Sequence, residues 1–278
     1  ALAGQYMAEA GVDLLITYGG CIISKRLKAL LRNNPPREHW HISPDGEVVD
    51  TFCGLTRVIE GDPAELWELL AAFAEEGDEA YAERWLAPVP VPQFPYSGMQ
   101  MVGDLIGAMP SDSVLHLANS SAVRFAQLYP LPDNTQVECN RGVNGIEGSL
   151  STALGYAMSD ARPQFIICGD LSFFYDMNAL WLRGIPAHVR LLLLNNGGGG
   201  IFDLIPTPEH PLVNGAHQAT AAAWAQSCGW EYQAVRSEYD WPAALAALST
   251  PSDRPIIVEA FTNSESDAAL LKQFYTQY

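Results

Sequence analysis

Basic residues are scarce in this sequence: Lys and Arg number 15 against 32 Asp and Glu, a formal charge of -17. So acidic a chain repels a phosphate backbone unless its cations cluster, and no Lys/Arg cluster is present, which argues against nucleic acid as a partner. Cysteine is sparse too. Cys21, Cys53, Cys139, Cys168 and Cys228 are odd in number and scattered, with neither CxxC pairing nor zinc-ligand spacing, and read as reduced thiols of a cytoplasmic protein. No apolar run is long enough to span a bilayer, and the start lacks the basic and apolar regions of a signal peptide. A GxGxxG or GxxxxGK[ST] element opening a helix is also missing, which weakens a plain nucleotide-binding reading. Neither internal repeats nor low-complexity tracts occur. The first residue is Ala1 and ordered patterning begins around Asp13, so a further piece is expected upstream.

What is present is apolar and finely alternating. With 278 residues, 48% of them hydrophobic, the chain can bury one large core or two modest ones, and two units are expected. DLLITYGG from Asp13 reads as a buried strand and SKRLKALLRN as a helix after it; HWHIS follows as a second strand. DPAELWELLAAFAEE is a helix with Asp62 as N-cap and Pro63 at N1, its apolar stripe turned to its own core. Residues 1-86 therefore read as the carboxy-terminal part of a smaller parallel α/β middle domain. The stretch APVPVPQFP makes residues 87-95 an extended Pro-rich linker.

Residues 96-278 alternate helix and strand, with strands SVLHLAN, QVECN, PQFIICGD, VRLLLLNN and RPIIVEA. Strands that are apolar throughout imply a parallel sheet covered on both faces, so the expected fold is doubly wound α/β with ligands at the carboxyl ends of its strands. Helices are expected near Met99 to Met109, from Ser121, over Ile146 to Met158, over Met177 to Arg183 and near Ala219 to Cys228.

Two strand ends carry polar residues that a buried sheet does not otherwise need: Gly169-Asp170 after FIIC, and Asn195-Asn196 after LLLL, running into Gly197 to Gly200. If the strands are neighbours, Asp170 and Asn196 emerge side by side. A carboxylate, an amide oxygen and a backbone carbonyl are hard oxygen ligands of the kind magnesium selects, with positions left for phosphate oxygens. Glycines let the backbone approach an anion or turn a carbonyl onto a metal. The spacing thus describes a metal-diphosphate clamp. His39 and His41 alternate on a short strand with no third ligand nearby and read as packing residues; His116, His188, His210 and His217 have no usable spacing.

GDLSFFYDMNAL followed by LLLLNNGGGGIF resembles the GDG-to-NN signature of thiamine-diphosphate enzymes, in the variant of the menaquinone-pathway synthases that make 2-succinyl-5-enolpyruvyl-6-hydroxy-3-cyclohexene-1-carboxylate (SEPHCHC). The third glycine of the general signature is Leu171 here. NSSAVR at Asn119 to Arg124, NRGVNGIEG at Asn140 to Gly148 and GGCIISKRL at Gly19 to Leu27 resemble further motifs of that family. The resemblance implies thiamine diphosphate with Mg2+ (or Mn2+), the metal held by Asp170, Asn196 and the carbonyl of Gly198. It further implies cofactor contacts from Gly169, Leu171, Ser172, Ile201 and Phe202, with Ile146 as the apolar prop beneath the bent cofactor. Ser120, Arg124 and Arg141 would face substrate, and Lys25 with Arg26 would meet the second substrate's carboxylates.

The reaction implied is decarboxylation of 2-oxoglutarate and addition of the resulting carbanion equivalent to isochorismate. Arginine forks suit such carboxylates, although a surface salt bridge would use Arg124 or Arg141 equally well. Family members ordinarily begin with a pyrimidine-binding domain whose glutamate activates the cofactor. No such segment is recognised here, so this stretch alone is expected to be inactive, and a homo-oligomer, dimer or tetramer, is expected at full length. Two other readings stand beside this one: a different thiamine-dependent 2-oxo-acid decarboxylase or carboligase, and a non-catalytic diphosphate-binding module. The loop 197-210 is expected to be the most mobile part of the second domain without cofactor.

Overall fold

The computed structural model describes residues 11-20, 22-73, 77, 79-86, 90-204 and 210-277. The chain divides between Pro90 and Val91 into two compact units.

In the first unit, strands β1 (Leu14–Tyr18), β2 (Glu38–Ser43) and β3 (Arg57–Glu60) form a parallel sheet in the order β1-β2-β3. Helix α1 (Lys25–Asn33) starts where the Ser24 hydroxyl accepts from the Leu27 N–H at 3.2 Å. Leu31 and Phe52 form a small core. His39 and His41 are both buried, their ring nitrogens 2.8 and 3.0 Å from the Thr17 hydroxyl, a structural arrangement. Helix α2 (Pro63–Phe73) begins as expected, with Asp62 Oδ1 accepting from the Ala64 N–H at 2.7 Å. Its apolar stripe does not face a core, however: no residue of α2 is buried, and Phe73 is 79% exposed. A three-stranded sheet offers too little surface to cover a helix with apolar residues on most sides. Helix α3 (Glu79–Leu86), which sequence patterning did not mark, follows.

Residues 90-95 carry neither helix nor strand, while 87-89 of the expected linker lie outside the described residues. The second unit then follows the alternating pattern. Helix α4 (Gly98–Ala108), capped by the Ser97 hydroxyl, leads into β4 (Val114–Leu117), α5 (Ser121–Ala126), β5 (Gln136–Cys139) and α6 (Ser149–Ala157). Strand β6 (Gln164–Gly169) runs straight into α7 (Asp170–Asp176) and a 3-10 turn, Met177–Trp181. After β7 (Val189–Asn195) come a second 3-10 turn, Gly200–Leu204, short helices α8 (His210–Val213) and α9 (Ala222–Ser227), β8 (Glu231–Val235), α10 (Trp241–Ser249), β9 (Ile256–Phe261) and α11 (Ser264–Gln277).

All six strands pair in parallel, in the order β5-β4-β6-β7-β9-β8. The chain steps outward from β4 to β5 and then returns to the other side of β4, so the winding reverses between β4 and β6. Such a reversal opens a crevice at the carboxyl ends of the strands, and this is where ligands of doubly wound sheets bind. The core is continuous across the sheet: Leu191, Leu192 and Leu193 of β7 and Ile257 and Val258 of β9 are fully buried. Helix α6 begins three residues later than expected, after Gly148 in the left-handed conformation at φ 72. Its first turn is held by Asp176, which accepts from the Ser151 N–H at 2.6 Å.

Candidate functional site

Three chain segments leave the carboxyl edge of the sheet next to the winding reversal: residues 118-121 after β4, Gly169-Asp170 after β6 and Asn195-Asn196 after β7. Because β6 and β7 are paired, with Gly169 beside Leu194, the two polar strand ends emerge at the same rim.

Asp170 is 2% exposed. Its Oδ2 accepts the N–H groups of Gly197 at 2.8 Å and Gly198 at 2.9 Å, and its Oδ1 accepts from Leu171 at 2.7 Å. Burial pushes this carboxyl above its usual range, against those three donors and the neighbouring His217 ring, which hold it down. Among the described residues Oδ1 accepts from Leu171 alone, which leaves it a lone pair for a cation. His217 Nε2 stands 3.2 Å from Oδ2 but off the direction of a hydrogen bond.

The glycine loop is held from the other side by its return segment. Gly199 donates to the Asn214 carbonyl at 2.6 Å, His217 donates to the Gly197 carbonyl at 3.0 Å, and the Gly198 carbonyl accepts from Gly200 at 3.1 Å. Gly198 has φ 158, which side chains rarely adopt, and a Cβ there would press on the Asn214 carbonyl at 3.0 Å. Residues 205-209 of the loop lie outside the described residues, as does the side chain of His210.

Asn196 Oδ1 is buried and finds no hydrogen-bond partner among the described residues. Asn196 lines a cavity of about 10 Å³ together with Arg124, Gly200, Ile201, Leu204 and Asp267. Asp170 is not part of that wall. The rim therefore holds two groups, the Asp170 carboxylate with the glycine N–H groups and the Asn196 amide, which lines a cavity with Arg124. Phe202 is half-buried in the Gly200–Leu204 turn.

Ser172 is buried and donates to the carbonyl of Ile146, which ties the start of α7 to the half-buried residue expected beneath the cofactor. Ser120 sits at φ 69 and ψ -126, an unusual conformation for a residue with a side chain, and its carbonyl accepts from Arg124 Nη1 at 2.7 Å. Burial holds the Arg124 guanidinium below its usual range, with Arg141 adding like-charge repulsion. Arg141 donates to Asn119, and its Nε is buried without a partner among the described residues. Lys25 and Arg26 belong to the first unit, at the exposed start of α1.

Sequence patterning missed Asn119, His217 and a buried acid. Glu259, in the middle of β9, is 0% exposed and accepts from Asn195 Nδ2 at 2.7 Å. The detectable signal was a charged residue inside the otherwise apolar run IIVEAF, since a buried carboxylate must find donors. Among the described residues no group of three His, Cys, Asp or Glu converges as a metal cluster. Asp170, Asn196 and the Gly198 carbonyl would offer one carboxylate, one amide oxygen and one carbonyl, a donor set of hard oxygens of the kind Mg2+ takes. No described helix is long and apolar enough to cross a membrane.

No protein-family model matches the chain. Curated proteins do. The SEPHCHC synthase of Bacteroides fragilis is 49% identical over 100% of this chain, and that of Bacteroides thetaiotaomicron 47% over the same share; each match covers 52% of the relative. The synthase of Flavobacterium johnsoniae is 34% identical over 97% of this chain and 51% of its own length. The chain thus spans about half the length of the curated relatives it matches, corresponding to their carboxy-terminal part. By sequence across its whole length, and as a piece of about half their size, the chain belongs with the 2-succinyl-5-enolpyruvyl-6-hydroxy-3-cyclohexene-1-carboxylate synthases.

Proposed function

We propose that this chain is the metal- and diphosphate-binding part of a thiamine-diphosphate-dependent transferase that decarboxylates 2-oxoglutarate and joins the succinyl unit to isochorismate in menaquinone biosynthesis. One observation carries the reading: the buried Asp170 carboxylate receives the N–H groups of Gly197 and Gly198, the residues that directly follow Asn196, whose buried side-chain oxygen no described group satisfies. An unsatisfied buried amide costs about 1–3 kcal/mol, and a cation would remove that cost.

When bound, thiamine diphosphate supplies the nucleophilic carbon and electron sink that loss of carbon dioxide from a 2-oxo acid requires. The chain's own residues do the rest. Asp170, Asn196 and the Gly198 carbonyl hold Mg2+ or Mn2+, which neutralises the diphosphate. Gly169, Leu171, Ser172, Ile201 and Phe202 line the cofactor, and the Ser172 bond to the Ile146 carbonyl keeps that apolar side chain in place beneath it. Arg124, partly desolvated and close enough to Arg141 for the two to repel, presents with it charge that substrate carboxylates would relieve, and the Ser120 carbonyl holds Arg124 in place. Lys25 and Arg26 are assigned to the second substrate's carboxylates.

The group that activates the cofactor is placed outside these 278 residues, so the chain alone binds without turnover. The whole synthase is proposed to act in the cytoplasm as a homo-oligomer. Calorimetry of thiamine diphosphate with Mg2+ tests the reading: the chain should bind and Asp170→Ala should lose at least tenfold in affinity. Equal affinity in both proteins, or turnover of pyruvate in preference to 2-oxoglutarate by the complete enzyme, would sink it.

A further inference from the structure

Asn195 and Glu259 lie on the paired strands β7 and β9, in register two residues apart: Glu259 sits beside Leu193, and Asn195 beside Phe261. Residues so placed share one face of the sheet. Both are buried. Asn195 donates from Nδ2 to Glu259 Oε1 at 2.7 Å and to the Ala219 carbonyl at 2.9 Å, while its Oδ1 accepts from the Gly197 N–H at 3.1 Å. Glu259 also accepts the Ala221 N–H, at 3.0 Å to Oε2, and the Tyr232 hydroxyl at 2.6 Å. Burial and the Glu259 carboxylate together push the Tyr232 hydroxyl well above its ordinary range, so it stays a donor.

The glycine loop leaves the sheet at Asn195, and its far end reaches Ala221, the N-cap of α9. One buried carboxylate grips both points. We infer that Glu259 is a positioning residue that closes the two ends of the glycine loop onto each other through Asn195 and Ala221, and so presets the loop's backbone against Asp170 for a divalent cation. The inference rests on the cation reading above. Groups that orient metal ligands from behind are worth about 10–100-fold in metal affinity. A loop whose ends are left unjoined must close them on binding, at an entropic cost.

The test compares the unsubstituted chain with Glu259→Gln and Tyr232→Phe. Mn2+ is titrated in the presence of thiamine diphosphate and read by loss of the free-ion electron paramagnetic resonance signal. Amide hydrogen exchange is measured on the ligand-free chains, and urea unfolding beside it. Glutamine keeps the shape but turns one acceptor into a donor facing donors. Glu259→Gln should therefore bind Mn2+ about tenfold more weakly, with faster exchange at Gly197, Gly198 and Ala221 and unchanged exchange in β4 and β6. Tyr232→Phe removes a single donor and should bind about threefold more weakly; it decides the matter if the glutamine variant does not fold. Affinity within twofold of the unsubstituted chain, or accelerated exchange spread evenly over the whole sheet, overturns the inference while leaving the cation reading intact. Failure of the unsubstituted chain to take up Mn2+ at all overturns both.

Discussion

Arg141 donates from Nη1 to Oδ1 of Asn119 at 2.6 Å, and the amide nitrogen of the same Asn119 donates back to the carbonyls of Asn140 at 2.7 Å and Gly145 at 2.5 Å. One buried amide from the β4 edge thus fixes both the backbone and the cation of the segment 140-145. Replacing it leaves two carbonyls and a guanidinium without a partner. Asn119→Ala should lower stability to urea by about 2–3 kcal/mol, a loss expected when a small buried network is broken. A change below about 0.5 kcal/mol would show that water replaces the amide without penalty.

Ser120, next in the chain, holds φ 69 without the help of a side-chain cap. Glycine adopts this conformation freely, and relieving such strain is worth about 1 kcal/mol. Ser120→Gly should raise the unfolding midpoint in urea while weakening substrate binding in the complete synthase. A variant that is less stable than the parent would mean that the serine side chain does more for the fold than its backbone costs.

Gly103 reverses the usual helix rule. Alanine in a helix interior ordinarily gains about 1 kcal/mol over glycine. Here a Cβ would stand 2.3 Å from the Tyr129 ring, whose hydroxyl is tied to the Met99 carbonyl at 2.7 Å and so cannot swing aside. Gly103→Ala should destabilise by about 1–3 kcal/mol, as overpacking does. Thermal unfolding reads the sign directly.

Asp267 supplies a pH dependence. It is 5% exposed, accepts from the Gly98 N–H and the Thr262 hydroxyl, and burial nevertheless pushes its carboxyl up to about 6. An unfolded aspartate titrates near 3.9, so the folded chain binds the proton more tightly. The resulting stabilisation is complete below about pH 4 and is lost as pH rises through about 6. Asp267→Asn should remove about 2 kcal/mol of that decline between pH 4 and pH 7. Parallel stability profiles for the two proteins would contradict it.

The legible parts of this chain are those where burial is uniform. LLLL in β7 and FIIC in β6 announce central strands because an unbroken apolar run is what burial on both faces selects where no polar partner is at hand. Strand β8 passed unnoticed because EYQAV mixes Glu, Tyr and Gln, as an edge strand can. Helix α11 passed unnoticed because its polar first turn looks like a solvated tail, although Ala268 and Leu271 are buried. The same reasoning separates the site residues. Asp170 and Asn196 stood out as polar residues at strand ends. His217 did not, because the return of a long loop onto a strand end leaves no spacing in the sequence. Asn195 was legible only as half of a pair, and its division of labour with Asn196 emerges from which amide faces Glu259.

Strand β9, which follows β7 and β8 in the sequence, sits between them in the sheet. Strand β8 has no neighbour in the sheet until β9 arrives, and β7 keeps an open edge until then. During synthesis, a nascent chain still lacking residues 256-261 would carry the open edge of β7 and an entirely unpaired β8, a state prone to wrong pairing. Premature release just before Ile256 should therefore yield aggregates, and protection of the growing chain would matter most while β9 is still to emerge.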